Sequence, residues 1–115
     1  NYLFSKSESN DMGRNYLGEF EELVLLTVAA LEGHAYGALL LEEIQQRTGR
    51  SLQLSAVHVA LYRLEEKKLV NSCMGGATAE RGGRRKRFFS ITAEGLQILK
   101  DTRNVRESLW RLIPG

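Results

Sequence analysis

The sequence is poor in cysteine and proline: Cys73 and Pro114 are the only residues of their kinds among 115. A lone thiol forms no disulfide within the chain, so a hydrophobic core must hold the fold, and this composition suits a reducing cytoplasm. No apolar run approaches the roughly 20 residues of a membrane-spanning helix, and we identify no signal peptide. We therefore expect one cytoplasmic domain with a modest core and no membrane insertion.

Patterns of catalytic and metal-binding residues are also missing. The two histidines, His34 and His58, have no cysteine or carboxylate partners at ligand spacing. No nucleophile is paired with a base, and no glycine-rich loop has the spacing that cradles a phosphate. Cys73 falls in a predicted strand, where a thiol is more often inert than an oxidant sensor. We predict no enzymatic activity, no metal ion and no cofactor.

The sequence does have a strong separation of charge. Residues 1–46 carry two basic and eight acidic side chains, whereas residues 47–115 carry fourteen basic and six acidic ones. The densest cluster, Arg81–Arg87, has five cations among seven residues. A basic cluster alone is usually a solvated loop, but charge separated in this way indicates a polyanionic partner for the second half of the chain.

Hydrophobic periodicity and capping residues predict four helices and one β-hairpin after a polar N-terminal segment. We interpret residues 1–16 as a leader or disordered arm, with Met12 as the natural start, and residues 17–115 as one folded domain. The predicted fold class is mainly α with a small β-hairpin. The predicted elements are a helix between Gly18 and Gly33, helices over about Tyr36–Thr48 and from the N-cap Ser55 to about Lys68, strands over Leu69–Met74 and Arg87–Ile91, and a last helix from the cap Thr92 to about Ile113.

Two helices have more apolar residues than a single core needs. The first helix is apolar nearly all round from Leu23 onward, so we expect it to be covered on two sides, the second side by another chain. In the last helix, Leu96 and Leu99 are predicted to face the domain. A second stripe at three- and four-residue steps suits a partner helix. Its members are Ile98, Val105, Leu109 and Leu112.

The order of the elements is that of a winged helix-turn-helix followed by a C-terminal dimerisation helix. In such a unit the second helix of the motif lies in the major groove, and a basic hairpin contacts the phosphate backbone. The residues of this helix predicted to be buried are Val57, Ala60, Leu61 and Leu64. The predicted DNA contacts on its outer side are Ser55, His58, Tyr62 and Arg63. Those in the wing are Arg84, Arg85, Lys86 and Arg87.

Four short motifs occur in order along the chain. They are Tyr36-Gly37, Leu64–Val70 with the sequence LEEKKLV, Gly83–Phe89 with GRRKRFF, and Ile91–Gly95 with ITAEG. Together they resemble the signature of the PadR family of bacterial transcription regulators, over roughly residues 17–100. The resemblance implies a winged-helix homodimer that represses transcription until a small molecule or another signal releases it. It also implies pairing through the last helix with help from the first, as in the compact branch of the family.

The sequence departs from the family pattern at two places. His58 and Val59 stand where family members usually have a Tyr-Pro pair. The resemblance therefore carries over the position of the recognition helix but not its base contacts. Lys68 stands where the family commonly has glycine.

Two pairs of interpretations stay open. Trp110 is either a packing residue or, with Phe20 and Leu23, part of an apolar pocket between subunits that takes a planar effector. The protein is either a regulator that binds double-stranded DNA or a winged-helix interaction module, which meets an acidic protein partner or regulates an associated membrane transporter. Binding to a duplex of arbitrary sequence separates the second pair.

Overall fold

The computed structural model describes residues 17–75 and 85–115. In these ranges four helices and two strands follow one another in the predicted order, which confirms the mainly α fold class with a β-hairpin. Their bounds are α1 Glu19–Leu31, α2 Gly37–Thr48, α3 Leu54–Glu66, β1 Val70–Met74, β2 Arg87–Ile91 and α4 Ala93–Trp110. The predicted N-terminal arm and most of the loop between the strands lie outside the described residues. No helix within the described ranges is long and apolar enough to span a membrane.

The hydrophobic core lies where α1, α2 and α3 meet, and the hairpin and the start of α4 close it. Each α3 residue predicted to be buried is buried, which confirms the helical spacing of Val57, Ala60, Leu61 and Leu64. The burial of apolar side chains here is the main favourable contribution to folding. The other core residues are Val24, Leu25, Val28, Ala35, Leu40, Ile44, Leu69, Val70, Phe89 and Leu99.

The turn between α2 and α3 is held by one glutamine. The helix ends at Gly49, whose left-handed backbone (φ +72°) is a conformation that glycine adopts without steric cost. The N–H of Gly49 donates to the main-chain carbonyl of Gln45 at 2.9 Å. The side-chain oxygen of Gln45 then accepts the N–H of Leu52 at 2.8 Å. Gln45 therefore ties the end of α2 to the segment that leads into α3.

The start of α3 differs from the prediction, which took Ser55 as the N-cap. The helix begins at Leu54, with Gln53 as the N-cap residue in an extended conformation. The main-chain carbonyl of Gln53 accepts the N–H groups of Ala56 and Val57. Because Gln53 already supplies the first intrahelical carbonyl, Ser55 lies inside the first turn as an exposed residue.

The wing is a two-stranded antiparallel sheet, with Ser72 opposite Phe89 at the centre of the ladder. Phe89 also donates its N–H to the carbonyl of Ala35 at 2.8 Å, and the two residues form a β-bridge. The segment between α1 and α2 is thereby attached to the middle of β2. The predicted bounds of β2 are confirmed.

The chain reverses direction between α3 and β1 at Lys68, where φ is +64°. The N–H of Leu69 donates to the carbonyl of Leu64 at 2.9 Å, so Leu69 belongs to the end of the helix. For this reason β1 begins at Val70 and not, as predicted, at Leu69. A left-handed residue here also gives a physical reason for the glycine that the PadR pattern has at this position.

We expect Lys68→Gly to raise the free energy of unfolding by up to about 1 kcal/mol. Relief of the left-handed strain, roughly 1–2 kcal/mol, exceeds the roughly 0.5–1 kcal/mol of added backbone entropy in the unfolded chain. Urea unfolding followed by circular dichroism measures the change. Lys100→Gly, at an exposed position inside α4, is the control and should lower stability by about 1 kcal/mol. A similar loss at position 68 would contradict the prediction.

The start of α4 is fixed to the end of α3 by Thr92. As predicted, Thr92 is the N-cap, and its hydroxyl oxygen accepts the N–H of Gly95 at 3.0 Å. The same hydroxyl donates to the carbonyl of Lys68 at 2.9 Å. One side chain therefore caps α4 and links it to the residue where α3 ends.

The face that α4 presents to the core differs in part from the prediction. Gly95 and Leu99, four residues apart, are both buried, which confirms the inward position of Leu99. Leu96 is 42% exposed, so the prediction that it faces the domain is wrong. The reason is geometric: one residue beyond Gly95 is about 100° round the helix, away from the body.

The end of α4 also differs from the prediction. The helix ends at Trp110 and not near Ile113. The N–H of Ile113 donates to the carbonyl of Trp110, three residues back, so the chain tightens into a turn. Pro114 follows Ile113, and the α conformation is disfavoured for a residue that precedes proline.

Candidate nucleic-acid interface

The four α3 residues predicted to contact DNA are all exposed, but they lie on different sides of the helix. Successive residues are about 100° apart, so Ser55 and Tyr62 stand near the middle of the outer face, opposite the buried Val57 and Leu64. Tyr62 is 71% exposed. These two side chains are therefore among those that a groove facing α3 would meet first.

His58 lies on the flank of α3 that faces the wing, and its imidazole packs against Gly37. A β-carbon at Gly37 would overlap the imidazole ring, whereas glycine leaves room for it. Gly37 is the first residue of α2 and belongs to the Tyr36-Gly37 motif. The glycine of the motif therefore sets the position of His58.

Arg63 lies on the opposite flank, against α1. Its guanidinium is 3.9 Å from the carboxylate of Glu21, which also accepts a hydrogen bond from Lys67 at 2.8 Å. The Glu21 side chain is only 13% exposed, while that of Arg63 is 64% exposed. The structure therefore does not bring Arg63 together with His58, and it places Arg63 beside an acidic group of its own chain.

Of the wing cations, Lys86 lies at the loop end of the hairpin, just before β2, and contacts the ring of Tyr36. Its ammonium lies 4.4 Å from the centroid of the Tyr36 ring, within the range of a cation–π interaction. Phe88 meets the same ring edge to face at 5.7 Å. The other side of Phe88 faces Gly75, where a β-carbon would overlap the ring. These contacts hold Lys86 over α2 and close to α3.

Arg87 is the first residue of β2, and it forms part of a chain of hydrogen bonds. Its guanidinium donates to the hydroxyl of Ser72 at 2.9 Å, and Ser72 donates to the carboxylate of Glu65 at 2.7 Å. These two hydrogen bonds link both strands to the last turn of α3. Arg85 is exposed beside it, while Arg84 lies outside the described residues.

The wing and α3 enclose a cleft of about 530 Å³. Leu61 and Phe89 from the core line it together with polar side chains from both walls. The polar side chains are Tyr36, His58, Tyr62, Glu65, Lys86 and Arg87. Two cations on one wall and imidazole and phenol groups on the other can donate hydrogen bonds to phosphate or sugar oxygens.

Sequence reasoning missed Tyr36 as a support for Lys86 and Glu21 as a partner of Arg63. The Tyr36-Gly37 motif was a signal for the first, because an aromatic residue next to a required glycine indicates close packing. No sequence signal exists for the second, because Glu21 and Arg63 are joined only by the packing of α1 on α3.

The residues predicted for dimerisation divide into covered and open ones. Leu23 is half-buried on the wall of a second cleft, between α1 and α2, and Ile98 packs against the core of its own chain. Val105, Leu109 and Leu112 are exposed, and Leu112 lies beyond the end of α4.

The residues considered for an effector or for redox chemistry are placed as follows. Phe20 packs against the core, and Trp110 is 70% exposed at the end of α4. Cys73 is exposed on β1. Among the described residues no three histidine, cysteine or acidic side chains are grouped closely enough to hold a metal ion.

No protein-family model matches this chain, and no curated protein is similar to it in sequence. Solved structures are similar in fold. A PadR family transcription regulator from Clostridium difficile is 18% identical with a TM-score of 0.67, over 81% of this chain and 93% of that one. A PadR-like transcription factor from Bacteroides fragilis is 15% identical with a TM-score of 0.69, over 92% and 94%. A PadR-like regulator from Bacillus cereus is 20% identical with a TM-score of 0.63, over 84% and 92%.

These alignments span more than 90% of each solved structure. At identities of 15–20% they establish the fold. This chain has the winged-helix fold of the PadR-type transcription regulators.

Proposed function

We propose that the protein is a transcription regulator that binds double-stranded DNA in a sequence-specific manner. The observation that carries this proposal is the cleft between α3 and the wing, where Lys86 and Arg87 face His58 and Tyr62. An exposed helix fits the major groove, and cations beside it fit the phosphate backbone. The relatives of the same fold are described as transcription regulators, which supports the proposal.

The distribution of charge supports the same surface. Each acidic residue in the first turn of α1 pairs with a cation from a distant part of the chain. Glu19 pairs with Arg50, Glu21 with Lys67, and Glu22 with Arg106. Cations of the wing, by contrast, are exposed at the mouth of the cleft. These exposed cations are available to a polyanion, and Glu65 is the acidic residue that lines the same cleft.

We assign different roles to the two walls of the cleft. Ser55, Tyr62 and His58 stand where base edges are within reach of α3, so they contribute to sequence discrimination. Arg85, Lys86 and Arg87 contact phosphates, which carry no sequence information. Arg63 is a secondary contact, since Glu21 already neutralises part of its charge.

Binding of fluorescently labelled short duplexes tests this function. The set includes the region upstream of the protein's own coding sequence, a shuffled version of it, and single strands. We expect binding to both duplexes with a steep salt dependence, and tighter binding to the upstream region. Failure to bind any duplex at low salt would overturn the proposal and favour a protein-interaction role.

We also propose that the protein is a homodimer. On α4 the body-facing positions Leu99 and Thr102 are at least partly covered, yet every residue from Arg103 onward is exposed. The apolar stripe continues past the body of the protein through Val105 and Leu109. A second copy related by a two-fold axis covers this stripe, and it places two recognition helices about one helical turn of DNA apart.

Leu109→Asp is expected to convert the dimer to a monomer, because it places a charge in the centre of the proposed apolar interface. Sedimentation equilibrium at micromolar concentration measures the mass. Asn104→Asp is the matched control: it adds the same charge five residues earlier, about 140° round α4 from Leu109, and should leave the dimer intact. A parent protein that sediments as a monomer would refute the dimer.

As the finer part of this function we propose repression that a signal relieves. The exposed indole of Trp110 lies next to the proposed subunit interface, where a planar ligand would alter pairing. Trp110 is the only tryptophan, so its fluorescence reports ligand binding directly. Phe20 is the less suitable candidate, because it already packs against the core.

A further inference from the structure

The second half of α4 extends away from the body of the protein, and an ion pair between Arg106 and Glu22 connects it back to α1. The guanidinium of Arg106 donates to the carboxylate of Glu22 at 2.8 Å, although the two residues are 84 positions apart. The Glu22 side chain is only 15% exposed, so this carboxylate is largely withdrawn from water. A charge in that position depends on its partner more than a solvated one does.

The position of Arg106 on the helix is also informative. Leu99, Thr102 and Arg106 follow one another at three- and four-residue steps and therefore share the face of α4 that is turned to the body. Leu99 is buried and Thr102 is half-buried, while apolar packing has ended by Arg106. The ion pair with Glu22 therefore acts at the point where hydrophobic contact no longer fixes the direction of α4.

We infer that the Glu22–Arg106 pair sets the angle of α4 to the DNA-binding body, and so the distance between the two recognition helices of the dimer. This inference rests on the homodimer of the proposed function. Glu22 and Arg106 are then positioning residues that touch no DNA. Their effect on DNA binding is exerted through half-site spacing.

The expected displacement is large enough to matter for recognition. From Thr102 to Trp110 the helix is about 12 Å long, so a tilt of about 15° moves its end by about 3 Å. A two-fold axis doubles this to about 6 Å between subunits, close to two base-pair steps of about 3.4 Å. Two half-sites one helical turn apart require a fixed distance between the recognition helices, so a change of this size would weaken binding to both at once.

Pulsed electron paramagnetic resonance on the full chain, without DNA, measures this distance. A nitroxide is attached through Glu66→Cys, an exposed position on α3, with Cys73→Ser to remove the other thiol. We expect one narrow distance in this labelled parent. Glu22→Gln and Arg106→Gln should each shift or broaden it by several ångströms, and the exchange of both charges, Glu22→Arg with Arg106→Glu, should restore it.

Glu19→Gln is the control, because Glu19 pairs with Arg50 and not with α4, and it should leave the distance unchanged. Arg106 is well exposed, so Arg106→Gln keeps the test valid even if Glu22→Gln fails to fold. An unchanged distance in a dimeric Arg106→Gln variant overturns the inference. A parent without any intersubunit distance overturns the dimer as well, whereas duplex binding without this spacing effect leaves the proposed function standing.

Discussion

A protein in which Arg85 and Lys86 are both replaced by alanine is expected to bind every duplex more weakly and with less dependence on salt. Each lost phosphate contact lowers the slope of log affinity against log salt by about 0.9. A dimer loses up to four contacts, so the slope falls by up to about 3.6. Between about 50 and about 200 mM salt, the parent protein then loses up to roughly a hundredfold more affinity than the variant.

The matched control removes the same charge elsewhere. Lys100→Ala with Arg103→Ala takes two exposed cations from α4, away from the cleft, and should change the slope little. Titrations of the upstream and shuffled duplexes at several salt concentrations give both slopes. An equal decrease of the salt slope in the two double variants would show that only the net charge of the protein matters. An unchanged slope for Arg85→Ala with Lys86→Ala would show that the wing does not contact phosphate.

Gly95→Ser is expected to remove much of the stability of the fold. A β-carbon at Gly95 would overlap the main-chain carbonyl oxygen of Leu69, and the Ile91 side chain crowds the same space. Overpacking costs about 1–3 kcal/mol where side chains can adjust, and a backbone obstacle puts this change at about 3 kcal/mol or more. For a domain of this size each kcal/mol corresponds to about 4–8 °C, so thermal unfolding should show a loss of roughly 12 °C or more.

The same chemical change at Gly18 is the control. Gly18 is the N-cap of α1 with φ −67°, and no described atom lies within 4 Å of the β-carbon it would gain. Serine can accept a hydrogen bond at an N-cap, so Gly18→Ser should leave the melting temperature unchanged or raise it slightly. If Gly95→Ser and Gly18→Ser change the melting temperature equally, α4 does not approach Leu69 as closely as described.

Much of the fold can be predicted from local sequence patterns such as helical spacing and capping residues. Helical spacing identified the buried face of α3, glycine identified the end of α2 at Gly49, and Thr92 identified the cap of α4. These features depend on residues within about one turn of each other, so no knowledge of the partner elements is needed. The order of helices, turn and hairpin then limits the architecture to a winged helix.

The sequence predicts less well those side-chain surroundings that depend on the packing of another element. Leu96 was predicted to face the core because it is apolar, but the α4 residues that are buried against the core are Gly95 and Leu99. Ile98, predicted in the dimer stripe, is partly buried against the core of its own chain, a contact that its spacing alone did not indicate. Arg63 remains a proposed DNA contact, but its neighbour Glu21, 3.9 Å away, comes from the packing of α1 on α3 and could not be predicted from spacing. Long-range packing of this kind has no fixed sequence spacing, so a periodicity argument cannot find it.

The hydroxyl of Thr92 has a mechanical consequence. It joins the first turn of α4 to Lys68 at the end of α3, and the peptide chain joins the same turn to β2. A torque applied to α4 by a second subunit or a ligand would therefore reach both α3 and the wing through the first turn of α4. The two elements proposed to contact DNA would then move together, and in the proposed dimer a change in subunit geometry would alter how each half is presented to DNA while the contacts within each half are preserved.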